Sequence, residues 1–193
     1  MRAVTARTLA ISISISLLPL NGAVAKAPAP QDEAAVRDIV AKIYAPYSHP
    51  IPEAAGYGSY AKENAAGVAA SGYQPPYTQS LAASIARWDR LVQESEELYG
   101  LNGFDWYCQC QDNDYATAKI LSERYKYQFK GAIEALVHFS PGQSSDGDRA
   151  APLHLQFKKE GGAWKIDDLI FEDGSTLRKS LLTDIAVASK AHR

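Results

Sequence analysis

Two cysteines, Cys108 and Cys110, are the whole thiol inventory of the chain, and they stand two apart in a polar stretch with Asp105, Gln111, Asp112, Asn113 and Asp114. Trp106, Tyr107 and Tyr115 are interleaved with them. In a helix, residues two apart point away from each other and cannot pair. In a strand both face one side, with Cα atoms about 6.6 Å apart, near the upper limit for a disulfide, and a turn at Gln109 shortens that distance. A disulfide bracing the loop, free or intermolecular thiols, and soft-metal ligation are the three readings of this pair, although no second pair stands at familiar zinc spacing. The carboxylates offer a hard cation some oxygen ligands, but the glycine and terminal glutamate of an EF-hand loop are missing, and Asx residues also serve as caps and turn formers. The expected binding residues are Asp105, Trp106, Gln111, Asp112 and Tyr115, with Cys108 and Cys110 as a disulfide and with neither a metal nor a cofactor.

Acid–base chemistry has three candidates: His138, His154 and Asp168. His138 is out of phase with Ile133, Ala135, Val137 and Phe139, so it shares the other strand face with Glu134 and Leu136. If Asp168 reaches that face, carboxylate and imidazole meet and poise a base near neutral pH. The plainer alternative is that Asp168 bonds to backbone near a bulge and His138 is half exposed. His154 alternates with an apolar set and faces solvent. No Ser/His/Asp signature, glycine-rich phosphate loop or H-E-x-x-H helix occurs, which argues against common hydrolases, nucleotide enzymes and zinc proteases.

These residues need elements to position them. Val36, Ile39, Val40 and Ile43 share a face at helical spacing, with Asp32 as the N-cap and Pro46 ending the helix and forcing Ala45 out of the α region. Leu81, Ile85, Trp88, Val92 and Tyr99 define a second helix, capped by Thr78 or Ser80 and ended by Gly100, with Trp88 in its core stripe. A strand from Lys119 to Phe129 carries Tyr125, Tyr127 and Phe129 in phase. Two more alternate around Ile133 to Phe139 and Leu153 to Phe157, and Gly161-Gly162 makes the next turn. In the last strand, Trp164 to Glu172, either Asp168 points into the covered face or a bulge at Asp167-Asp168 turns Leu169 and Phe171 inward. Ser175 caps a final helix on Leu177, Leu181, Leu182 and Ile185. The resulting class is α+β, with N-terminal helices on an antiparallel meander and a C-terminal helix.

Arg2 and Arg7, the apolar run Leu9 to Leu20, and Ala23-Val24-Ala25 form a secretory signal with cleavage near Ala25. The run is too short to span a bilayer, which takes about 20 apolar residues. No stable span is therefore expected in the mature chain, and the expected location is periplasmic or secreted. Loss of the two arginines takes the formal charge from −2 to −4, and with no basic stripe a nucleic-acid partner is excluded. Residues 26–30 read as a linker, 31–188 as one domain and 189–193 as a tail. Within the domain, 45–76 is an insertion rich in Pro, Gly and Tyr, either a lid or a surface segment anchored by Tyr47, Tyr57, Tyr60, Tyr73 and Tyr77.

The run Gly161 to Leu169, the segment Gly174-Ser175-Thr176-Leu177-Arg178, and the pairs Phe104-Asp105 and Gln111-Asp112 carry a resemblance. They resemble the nuclear transport factor 2-like superfamily, and within it an exported bacterial domain-of-unknown-function family, number 3828. Trp106 stands where that pattern has a proline, and the Cys108-Gln109-Cys110 run is extra to it. The resemblance implies a cone-like curved sheet whose mouth holds a small molecule. Relatives of that shape include binding proteins and enzymes using an Asp/His pair. The expected function is an exported, non-enzymatic module binding a small molecule or an exported protein. The alternatives are a small enzyme using His138 and Asp168, and an inhibitor or immunity-type protein that blocks an exported partner through its tyrosine-rich segment.

Overall fold

The computed structural model describes residues 29–48, 73–94, 101, 105–109, 118–128, 131–140 and 151–191. Pro30 opens helix α1 (Pro30–Tyr44), a position that suits proline because the first N–H of a helix has no partner to lose. The N-cap is therefore Ala29, and Asp32 lies inside the first turn. Its carboxylate instead accepts Trp164 Nε1 at 3.0 Å and Lys159 Nζ at 2.6 Å, which pins α1 to the far hairpin. Val36, Ile39, Val40, Ile43 and Tyr44 are the buried stripe.

The α-helix stops before Pro46, as its ring requires, but Ala45 keeps helical angles (φ −51, ψ −40), and Ala45–Ser48 continues as a 3-10 turn. The unfavourable pre-proline conformation expected to be avoided is offset by what the turn buries. It delivers Tyr47 into the core, where the Tyr44, Tyr47 and Phe139 rings lie 5.0 to 5.9 Å apart.

Helix α2 (Gln79–Glu94) is capped by Thr78, whose hydroxyl accepts the Leu81 N–H at 3.4 Å. Leu81, Ile85 and Trp88 are buried, so Trp88 is core. Its indole N–H donates to Asp184 at 3.0 Å and its ring meets Trp106 edge-on at 5.8 Å. The expected stop at Gly100 lies outside the described residues.

The strands β1 (Lys119–Gln128), β2 (Ala132–Ser140), β3 (Ala151–Glu160) and β4 (Ala163–Ile170) form one antiparallel sheet in chain order. Ile133, Ala135, Val137 and Phe139 pair in register with Phe157, Leu155, Leu153 and Ala151, and this is the covered face. On β1 the same face carries Tyr125 and Tyr127, opposite Ala135 and Ile133, as their phase predicts. At the other edge the segment before α2 lies along β4: Thr78 N–H donates to Ile166 O, and Ile166 N–H to Pro76 O.

Between β3 and β4 the register shifts where Asp167 is the extra residue. Trp164 and Ile166 are buried before it, and Leu169 and Phe171 after it. The phase slip is thus the outcome, and it serves both apolar sets on one strand.

Helix α3 (Leu177–Ala191) follows a turn through Gly174, whose φ of 79 suits glycine. Its cap is Thr176, whose hydroxyl accepts the Lys179 N–H at 3.3 Å, and not Ser175. Leu177, Leu181, Ile185 and Ala188 are buried against α2 and β4, whereas Leu182, expected among them, is 53% exposed. The covered face of the sheet is filled by fully buried side chains, among them Phe139, Phe157, Leu153 and Leu155. The architecture is α+β.

Candidate functional site

The loop singled out for its polar residues is held down by Asp105. One carboxylate oxygen accepts the N–H groups of Tyr107 at 2.7 Å and Cys108 at 3.2 Å, and the other accepts the Tyr47 hydroxyl. This is the turn-forming use of an Asx side chain. Burial raises the Asp105 carboxyl above its ordinary range despite the lowering effect of Tyr47 and the two N–H groups.

Hydroxyls close the loop from above. Tyr44 OH donates to Tyr107 O at 3.0 Å, and the Tyr77 and Tyr107 hydroxyls bond to each other. Burial pushes the phenols of Tyr44, Tyr77 and Tyr107 up, so all three stay protonated. Gln109, in the left-handed region at φ 53, reaches out of the turn. Its amide donates to Pro152 O and accepts from Glu172 N–H, both at 3.3 Å, so it ties the start of β3 to the residues beyond β4.

Trp106, expected to contact a ligand, is buried at 2% exposure and donates its indole N–H to Leu101 O at 3.2 Å. It fills the core and presents no surface for binding. Cys108 is also buried. Cys110, Gln111, Asp112 and Tyr115 lie outside the described residues, as do Tyr57 and Tyr60.

The acid–base pair is not assembled. Gln156 is the register partner of both Glu134 and Asp168. Asp168 is therefore two strands away from β2 and four residues along it from His138, an estimated separation of about 17 Å. One Asp168 oxygen accepts the N–H groups of Leu169 at 2.9 Å and Arg178 at 3.0 Å. The backbone reading of Asp168 near a bulge thus describes its position. His138 is half-buried opposite Pro152.

A different histidine has a carboxylate partner. His154 Nδ1–H donates to Glu134, whose second oxygen accepts the Gln128 amide. The three side chains come from β3, β2 and β1 on the face opposite the core. Out-of-phase positions on adjacent strands were the available signal, but their diagonal offset depends on register. Asp167, next to Asp168 on β4, gathers Thr78 Oγ1 at 3.1 Å, Arg178 Nη2 at 3.2 Å and Lys158 Nζ. It joins the starts of α2 and α3 to the β4 bulge.

Among the described residues no group of three or more His, Cys, Asp or Glu side chains is arranged to hold a metal ion. Nor is any described helix long and apolar enough to cross a membrane. The clefts among the described residues include two on the outside, both against α3. One runs along Lys179, Leu182, Thr183, Ala186, Val187 and Lys190. The other lies between Leu101, Phe171, Ser180 and Asp184.

No protein-family model matches the chain. No curated protein matches it either.

Proposed function

We propose that the chain is an exported, non-enzymatic module that binds another protein, related to the cone-shaped nuclear transport factor 2-like domains through its terminal tryptophan strand and its Gly174 to Arg178 segment. One observation carries the reading against an enzyme: Asp168 is spent on the amides of Leu169 and Arg178, four residues along the sheet from His138. A carboxylate so engaged and so far from an imidazole does not tune it as a base.

A protein partner is favoured over a small molecule because the covered face of the sheet is packed with side chains, whereas the two clefts against α3 open on the outside. Export rests on Arg2, Arg7, the Leu9 to Leu20 run and Ala23-Val24-Ala25. Cys108 pairs with Cys110 in this reading; Gln109 between them stands in a turn, in the left-handed region at φ 53, and a turn can bring residues two apart within disulfide range.

The test is intact-complex mass spectrometry of the protein purified from its native host under non-denaturing conditions. A bound polypeptide in near-stoichiometric amount, kept in the His138→Ala variant, is the expected result. Loss of that polypeptide by more than about tenfold in His138→Ala overturns it.

A further inference from the structure

Helix α3 is apolar on two opposite sides. Leu177, Leu181, Ile185 and Ala188 face the core, while Leu182 and Val187 stand 53% and 52% exposed with Ala186 between them. Successive residues turn by about 100°, so Lys179 and Lys190 fall almost on one line along the outer face, about 16 Å apart, with Leu182, Ala186 and Val187, and Thr183 among them, in between. No carboxylate lines this cleft among the described residues. A third cation, Arg178, borders it but is bonded to Asp167 and to Ser80 Oγ.

Resting on the binding-module reading above, we infer that this outer face of α3 docks an amphipathic helix of a partner protein, one whose short apolar stripe is closed at each end by a carboxylate. The charges select this occupant. Were a second copy of the chain to pack here antiparallel, each Lys179 would meet its partner's Lys190, and a parallel arrangement would set each lysine against itself. Either places like charges together at a desolvating contact. A lipid surface is disfavoured because stable attraction takes clusters of about four to eight cations. Here two are uncommitted and no aromatic side chain stands among them. Leu182 and Ala186, four residues apart, with Val187 beside them and a single cation at each end, suit the apolar side of a helix laid along α3.

The experiment titrates the full mature protein with two synthetic helical peptides, followed by fluorescence anisotropy at low and high salt. Both carry the same leucine stripe, one ended by Glu and the other by Lys. The Glu-ended peptide is expected to bind at least about tenfold more tightly, with the advantage lost at high salt. Lys179→Glu with Lys190→Glu is expected to reverse the preference. Leu182→Ser, an exposed position that leaves the fold intact, is expected to weaken both peptides.

Equal affinity for the two peptides, or no binding of either, overturns the inference. So does a wild-type dimer in sedimentation that Leu182→Ser dissociates, which would assign the face to a second copy. Leu182-dependent binding to phosphatidylserine vesicles without peptide discrimination would assign it to lipid and equally overturn it. A native partner polypeptide retained by the Lys179→Glu, Lys190→Glu chain sinks this face alone and leaves the binding-module reading standing.

Discussion

Asp168 accepts the backbone N–H of Arg178 at 3.0 Å, so a strand residue caps the first turn of the helix that follows it. The same oxygen takes the Leu169 N–H just beyond the bulge. Replacing Asp168 by Ala orphans both amides and is expected to cost about 1–2 kcal/mol, read as a lower urea midpoint at unchanged slope. His138→Ala is expected to stay within about 0.5 kcal/mol of wild type. A larger loss at His138 than at Asp168 would reverse the roles assigned to them.

Asp105 makes stability depend on pH in the less common direction for a carboxylate. Its folded-state affinity for a proton exceeds that of the unfolded chain, because burial raises it. The proton-linked stabilisation is therefore complete below the ordinary carboxyl range and is lost as pH rises through the raised folded value. Asp105→Asn keeps an acceptor for the Tyr107 and Cys108 amides and removes the titration. The stability of wild type relative to Asp105→Asn should fall steadily from acid toward neutral pH; a flat difference would contradict the assignment.

Trp88 joins α2 to α3 through its N–H on Asp184 and to the 105–109 turn through its ring contact with Trp106. Trp88→Ala is expected to cost about 3–5 kcal/mol. Asp184→Ala, which leaves only the indole N–H unpaired, should cost about 1–2 kcal/mol. Chemical denaturation of the pair separates the packing contribution from the polar one.

The β3–β4 hairpin turns on Gly161 and Gly162, at φ 61 and 83. A Cβ at Gly162 would meet nothing within 4 Å, so Gly162→Ala reports backbone conformation alone. The expected loss is about 1–2 kcal/mol. No change on substitution would mean the turn can adopt another form at little cost.

If Cys108 and Cys110 are paired, the native protein is lighter than its reduced form by two hydrogens. Replacing both by Ala is then expected to lower stability by about 1.5 kcal/mol, the chain-entropy value for so small a loop. An unchanged mass on reduction removes the bridge.

How legible the fold was depended on what each residue answers to. Ile133 to Phe139 and Leu153 to Phe157 were readable because a strand with one covered face must alternate. At Asp167-Asp168 two readings stood open, and the slip prevails because Ile166 and Leu169, both buried here, cannot share a face on a regular strand. Asp32 was misread because local capping rules favour it, whereas its carboxylate is claimed by Lys159 and Trp164, more than a hundred residues away. Leu182 was misplaced because a helix with apolar residues on two sides gives no sequence signal of which side wins. At the candidate site, Trp106 looked like a binding residue by composition, yet its indole had a carbonyl waiting at Leu101. Gln109 was read only as a turn residue, and its bridging role was missed because its two backbone partners, at Pro152 and Glu172, are brought together by the sheet.

The clasp between Asp32 and the Lys159–Trp164 hairpin bears on the order in which the chain assembles. The opening helix has its polar anchor in a segment synthesised more than a hundred residues later. Until that segment emerges, α1 lacks this anchor, and nascent helices of its length are marginal in water. The polar tie that fixes the start of α1 is therefore made only once β4 has been added to the chain.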